Sequence, residues 1–344
     1  MEPKNILVVK LSSIGDTVHA IPAVAALRKR FPAARIDWCV EERYASLLEC
    51  LPAVDRVIRL RTRDWRQGRR LLGPEGFPEF IRRLRSAPYD AGIDFQGLWK
   101  SAVVLRLSRA RERIGWAARW LREPGAACLY TTAVEKVEAD MHVIDWCAAL
   151  LRPLGIEKVP WTFPFRLPEP AVKEAGDLWS GLGKPRFVLV NPGAGWPTKQ
   201  WAPDRFGQLC ARLRRETGLV PLLTYGPGES PLVEEVREHC PEAVPVSVNL
   251  VVFAALAAKA ACFVGGDTGP MHIASAMGTP VVALFGPSDP ARNGPFHPRD
   301  AALHHRLPCS GSYRRRCPDA EHKCMNFTVD EVFEAVRRRI AEEG

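Results

Sequence analysis

Residues 263–289 read FVGGDTGPMHIASAMGTPVVALFGPSD. An apolar strand over 261–264 breaks at Gly265-Gly266-Asp267-Thr268-Gly269. Pro270 then opens a helix that carries His272 and Ala276 and is closed by Gly278. Proline at the first helical position and glycine just past the last is the usual asymmetry of helix ends. A second apolar strand over 280–285 follows at once. Strand, glycine-rich turn, helix, strand is the unit of a parallel α/β sheet, and it aims the free N–H groups of a helix start at the mouth of that sheet. Such a turn either binds an anion or is an ordinary connection, and the rest of the chain bears on which.

Working outward, the second half repeats the alternation. A buried strand over 187–190 runs into Asn191-Pro192-Gly193-Ala194-Gly195-Trp196-Pro197-Thr198-Lys199-Gln200-Trp201. Helices are expected over 204–217, 231–239 and 251–259, with strands over 219–225 and 244–248 between them. In the first half, strands are expected over 5–11, 35–41, 56–60 and 89–95, with 114–116 as the last. A polar loop, Ser12-Ser13-Ile14-Gly15-Asp16, follows the first strand, and a helix over 17–30 follows the loop. Asp16 therefore sits at the C-terminal edge of a strand, where open α/β sheets place their chemistry. It also suits a helix N-cap, and the two roles are compatible. Residues 158–170 hold four prolines without a period and read as an interdomain linker. The fold expected is therefore two doubly wound, Rossmann-like α/β domains, over 1–160 and 171–325, facing each other across a ligand cleft. A closing helix over 326–344 has Thr328 and Glu331 in capping-box spacing and one apolar face, and it is expected to pack back on the first domain.

The totals narrow the classes. At 344 residues, 47% apolar and 25% charged, the chain is that of a globular protein. No apolar run reaches the ~18 residues of a membrane span. The start, MEPKNILVVKLSS, reads as a strand rather than a signal peptide, so a cytoplasmic protein is expected. The loop after the first strand has a single glycine, so it is no dinucleotide fingerprint, and no P-loop occurs. Net charge is +9, and +8 of it lies in residues 1–165, with 27 Lys and Arg against 19 Asp and Glu. An anionic partner is expected there. Ten arginines and four acidic residues fall between positions 53 and 87. Few aromatics and no RNA motif accompany them, so the run reads as a solvated face or a carboxylate- and phosphate-binding one rather than a nucleic-acid site. Most of the ten cysteines sit in apolar patterns. Cys309, Cys317 and Cys324 cluster with His305 and His322, but their spacing is not that of a zinc site, and they read as structural thiols.

Taken together, NILVVKLSSIGDTVHAIPAV and GGDTGPMHIASAMGTPVVALFGPSDP resemble glycosyltransferase family 9, the ADP-heptose transferases of lipopolysaccharide inner-core assembly. IDWCVEE, YDAGIDFQGLWKSA and WLREP are similar to the branch that adds the first heptose to Kdo–lipid A. The NPGAGWPTKQW loop and the C-terminal cysteines lean toward the second-heptose branch. The resemblance runs along essentially the whole chain. It implies a GT-B fold and an inverting transfer from ADP-heptose to the Kdo of Kdo–lipid A at the inner face of the cell membrane. It also implies no metal and no cofactor, and the sequence holds neither an Asp-x-Asp nor an HExxH motif. A non-catalytic nucleotide-binding or nucleic-acid-binding protein is the reading of a different class.

The resemblance also assigns roles. Asp16 matches the catalytic base. Lys199 matches a phosphate-contacting lysine, and Glu229 a glutamate that holds the ribose hydroxyls. Asp267, Thr268, Gly269 and His272 match the donor-binding motif. On the acceptor side, Ser13, Arg63, Arg66, Lys100 and Arg122 match or neighbour the positions that hold the Kdo carboxylates and lipid A phosphates. One departure is visible, since Arg63-Asp64-Trp65-Arg66-Gln67 stands where the family has consecutive basic residues.

Overall fold

Strands buried on both faces must be covered by helices on both sides, and near-continuous apolar runs such as Asn5–Val9 and Phe187–Asn191 impose that layering. The computed structural model describes residues 2–68, 72–73, 75–135, 141–317 and 323–341 and, of Arg66, the backbone alone. The chain divides into two units, Met1–Arg166 and Leu167–Gly344.

The first unit holds β1 (Asn5–Val9), β2 (Arg35–Glu41), β3 (Arg56–Leu60), β4 (Ala91–Asp94), β5 (Glu112–Trp116) and β6 (Thr132–Val134). Their order in the sheet is β3-β2-β1-β4-β5-β6. The second unit holds β7 (Phe187–Asn191), β8 (Val220–Thr224), β9 (Val244–Val246), β10 (Cys262–Gly266), β11 (Val281–Phe285) and β12 (Ala301–His304), in the order β12-β11-β10-β7-β8-β9. Every pairing in both sheets is parallel. In such sheets the winding reverses between the first strand and its later neighbour, and a crevice opens there beyond the strand ends. The reversal lies between β1 and β4 in one unit and between β7 and β10 in the other.

The two doubly wound sheets match the α/β architecture expected, with differences at the edges. β5 is not the last strand of its half, because β6 pairs beyond it, and β12 adds an edge to the second sheet. Both added strands are short and half-exposed, so they carry little of the apolar run that marks a buried strand. A helix, Glu169–Gly181, starts inside the proline-rich stretch, with Pro170 within its first turn, where proline is tolerated.

The helix after β1 spans Ile14–Arg30, three residues longer at its start than the sequence suggests. Ser13 is the N-cap, which moves Asp16 into the first turn. The Asp16 carboxylate accepts from the Ser13 N–H at 3.0 Å and the Ser13 hydroxyl at 2.7 Å, the reciprocal half of a capping box.

The closing helix, Val329–Ala341, begins on a capping box. The Thr328 N–H and hydroxyl donate to Glu331 at 2.6 and 2.9 Å, and the Glu331 N–H returns to Thr328 Oγ1 at 3.2 Å. Its apolar face is buried within the second unit. Val332, Phe333 and Val336 are buried in the second unit's core with Phe206, Leu209, Leu213, Val264 and Val282. The Arg212 guanidinium lies 3.9 Å over the Phe333 ring. Phe333→Ala leaves a cavity at this junction and is expected to cost about 3–5 kcal/mol of second-unit stability in urea denaturation, whereas a loss below about 1 kcal/mol contradicts this packing.

Candidate functional site

In the first unit the loop after β1 is tied across the reversal point. The Gln96 side-chain carbonyl, just past β4, accepts from the N–H groups of Leu11 at 3.1 Å and Ser12 at 3.0 Å. Gln96 and Gly97 are held in turn by Asp94, whose Oδ1 accepts both of their N–H groups at 2.8 and 3.0 Å. Burial pushes the Asp94 carboxyl up, opposed by the bonds from Gly97, Ser101, Tyr130 and Gln96. This scaffold fixes Lys10, whose ammonium is buried, donates to the Phe95 carbonyl at 3.1 Å and stands 3.7 Å from Asp16 Oδ1. The Asp16 side chain itself remains 38% exposed. It is thus held by a buried cation and the Ser13 donors while part of the side chain stays in contact with solvent.

Beside it, Lys100 Nζ donates to Glu41 Oε1 at 2.6 Å, and Thr62 donates to the same oxygen. The Glu41 N–H bonds the Leu11 carbonyl at 3.1 Å, which joins this pair to the Asp16 loop. Ser13, Arg63 and Arg122 are exposed. The Glu123 carboxylate, next to Arg122, accepts the Trp99 N–H at 2.6 Å and so sets that loop at the start of the helix carrying Lys100. The side chain of Arg66 lies outside the described residues. Much of the arginine run is already paired: Arg56 with Asp37, Arg59 with Glu42 and Glu49, Arg61 with Glu42 and Glu75, and Arg82 and Arg83 with Glu79. The formal charge of the run therefore overstates what it offers a ligand.

In the second unit Lys199 ends a short turn, Pro197–Lys199, after β7, and Asp267 follows β10 directly. Lys199 Nζ meets Asp267 Oδ2 at 2.5 Å, and His272 Nε2 lies 3.3 Å from Oδ1. Both partners of the carboxylate are nearly buried, at 13% and 4% exposure. Burial pushes the Asp267 carboxyl up, but the His272 bond and the Lys199 charge outweigh it and hold the group well below the usual carboxylate range. Thr268 caps the helix Gly269–Ala276, and its hydroxyl reaches Asn191 Oδ1 at 3.4 Å. Glu229 accepts the Gly226 N–H at 2.7 Å. Its carboxylate lies against Gly193, where an added Cβ would fall 2.3 Å from Oε1. At Gly266 an added Cβ would fall 2.8 Å from the Lys199 carbonyl, so glycine lets the lysine turn close on β10.

The structure therefore brings Lys199, Asp267, Thr268, Gly269, His272 and Glu229 to one mouth of the second sheet. It brings Ser13, Asp16 and Lys100 to the corresponding edge of the first. Sequence reasoning missed Lys10, Gln96, Glu41 and Asn191. A polar residue closing an apolar strand is the signal that Lys10, Glu41 and Asn191 share. Among the described residues no group of three or more His, Cys, Asp or Glu is arranged to hold a metal. Cys309, Cys317 and Cys324 are free thiols, and His322 lies outside the described residues. No helix among the described residues is long and apolar enough to cross a membrane.

Comparison with known proteins bears on this geometry. The profile of glycosyltransferase family 9 (heptosyltransferase) matches residues 78–323. The chain is 29% identical over 331 residues to lipopolysaccharide heptosyltransferase 1 of Pseudomonas aeruginosa, covering 91% of this chain and 87% of that protein. The crystal structure of E. coli heptosyltransferase WaaC with ADP superposes with a TM-score of 0.78 at 25% identity, covering 97% of this chain and 99% of that one. E. coli ADP-heptose lipopolysaccharide heptosyltransferase II superposes with a TM-score of 0.77 at 22% identity, covering 100% and 99%. The fold is GT-B.

Because the Asp267 carboxyl is depressed in the folded chain, its contribution to stability is fully present above the unfolded value of about 4 and is lost only as pH falls through the lower folded value. Asp267→Asn is expected to melt at a lower temperature than the parent at pH 7, with the gap narrowing as pH is taken below about 4. A gap that is absent at pH 7, or that widens in acid, contradicts the role given to this ion pair.

Proposed function

The chain belongs to glycosyltransferase family 9, the heptosyltransferases, and on that premise we propose that it transfers heptose from ADP-heptose to the Kdo of Kdo–lipid A, inverting the anomeric carbon and using protein groups rather than a metal. The observation that carries the reading is the convergence of Lys199, Asp267 and the start of the helix Gly269–Ala276 at the reversal point of the second sheet. That arrangement suits a nucleoside diphosphate, since a helix start and a lysine both favour phosphate.

The chemistry follows from the charges that must move. An acceptor hydroxyl oxygen attacks the anomeric carbon from the face opposite the diphosphate. Its proton passes to Asp16, whose exposed carboxylate is within reach of an incoming substrate. The carbon–oxygen bond to the diphosphate breaks through an oxocarbenium-like state, as in glycoside hydrolysis. ADP departs with one more negative charge than it carried as a diester. Lys199 and the N–H groups of Thr268 and Gly269 stabilise that charge where it develops. Asp267, kept anionic by its partners, holds Lys199 in place and offers oxygens to the sugar, with His272 beside it. Glu229 is set to receive the ribose hydroxyls. Ser13, Arg63, Arg66, Lys100 and Arg122 bind the acidic acceptor, with the enzyme peripheral on the inner face of the membrane.

A second reading, addition of the second heptose to an already heptosylated acceptor, has the same donor chemistry and is favoured by the NPGAGWPTKQW loop. Assays with Kdo–lipid A and with its monoheptosylated form separate the two, and turnover of neither sinks both. Asp16→Asn is expected to keep ADP affinity while losing transfer by about 10²–10⁴-fold, and near-parental turnover removes Asp16 as the base. Lys199→Ala is expected to weaken ADP binding by about tenfold or more in calorimetry, and an unchanged affinity removes it from the site.

A further inference from the structure

The segment 309–317, which the reading above leaves without a role, forms a strap tied to loops at the mouth of the second sheet. The Tyr313 N–H donates to the carbonyl of Pro287, in the loop after β11, at 3.1 Å. At the next residue the hydroxyl of Thr198, in the loop after β7, donates to the Arg314 carbonyl at 2.8 Å. Tyr313 and Arg314 are adjacent, so both bonds hold one short stretch where the loops after β7 and β11 meet: an added Cβ at Gly286 would fall 2.8 Å from the Thr198 carbonyl. The Tyr313 hydroxyl adds a bond to Asn293 Oδ1 at 2.7 Å. Tyr313 has φ of 53°, a left-handed conformation that favours glycine. A tyrosine is held there only by surroundings that over-determine it, and such positions cluster at ligand clamps.

The segment presents Arg314-Arg315-Arg316. The Arg315 guanidinium stands 5.2 Å from the centre of the Trp196 ring, and Lys199 Nζ stands 4.5 Å from the same centre. Two cations on one indole repel each other, and the ring's negative faces offset only part of that repulsion. An anion bound against both offsets the rest. Among the described residues no carboxylate pairs with Arg315, whereas Lys199 is matched by Asp267 at 2.5 Å. The departing diphosphate gains a charge, and the lysine facing it is already compensated. Arg315, on the same indole as that lysine, has no carboxylate partner among the described residues.

We propose that Arg315, carried by this strap and set by Trp196, is a second diphosphate-binding cation of the donor site, acting with Lys199. This rests on the donor reading given above. A planar guanidinium takes two phosphate oxygens at once, which suits it to hold a diphosphate during bond cleavage.

The test compares the intact protein with Arg315→Ala, Arg315→Lys and the neighbouring Arg316→Ala, using ADP in calorimetry and adenosine in ligand-observed NMR. Arg315→Ala is expected to lose about tenfold in ADP affinity with adenosine binding unchanged, and Arg315→Lys, which keeps the charge but not the two-oxygen grip, to recover only part of the loss. Arg316→Ala is expected to bind as the parent does. Parental ADP affinity in Arg315→Ala overturns the inference while leaving the donor reading intact. Equal loss for ADP and adenosine overturns it too, because the strap would then act only on the shape of the pocket. If the parent binds ADP no better than adenosine, the donor reading fails and takes this inference with it.

Discussion

A carboxylate taken almost wholly out of water costs several kcal/mol unless charged and hydrogen-bonding partners surround it, and Asp267 is such a group. Its two oxygens meet Lys199 from the loop after β7 and His272 from the helix after β10. Neither loop can settle without the other. The backbone of the lysine turn packs closely on Gly266 and Gly286, which sets its ammonium at the carboxylate, and the first turns of the helix Gly269–Ala276 set the histidine. The same contacts that make burial tolerable therefore define the mouth of the second sheet. The strap at that mouth, the Trp196 ring and the Glu229 carboxylate against Gly193 all build on a loop whose position the ion pair specifies.

The first unit uses a similar pair the other way round. Lys10 is the buried member there and Asp16 the accessible one, 3.7 Å away. The difference suits the tasks proposed for the two carboxylates. A group that exchanges a proton with an incoming hydroxyl must be reachable, and a rigid cation behind it keeps it aimed. A group that stays charged throughout benefits from burial among fixed partners. Each sheet places its pair at its own reversal point, where strand ends diverge and leave room for a ligand.

The stretch 263–289 disclosed its strand, turn, helix and strand within about two residues at each boundary because its apolar runs, proline and glycines all agree. The two-unit α/β plan followed from the same alternation. What escaped was set by distant contacts. β6 and β12 are short edge strands whose pairing, not composition, makes them strands. Asp16 was placed at the helix boundary, where the structure instead makes Ser13 the cap, because either residue suits that position. Gln96, about 85 positions from the loop it ties, gives no local sign of that bond. The arginine run could be read as a solvated face or an anion-binding one because the carboxylates that pair with Arg56, Arg59 and Arg61 lie partly on another strand and another helix. The family motifs pointed to residues, whereas the partners that orient those residues depend on the tertiary fold.

The place of the closing helix bears on how the chain is made. Val332, Phe333 and Val336 complete a core that also contains Val188 and Phe206. On the ribosome, the first unit is a continuous segment that can fold as it emerges, in the N-to-C order usual for multidomain chains. The second unit cannot close its core until the helix leaves the exit tunnel. Until then the apolar face of the helix Pro203–Thr217, with Phe206, Leu209 and Leu213, lacks part of its cover, and transiently exposed apolar surface of that kind is prone to aggregation during synthesis.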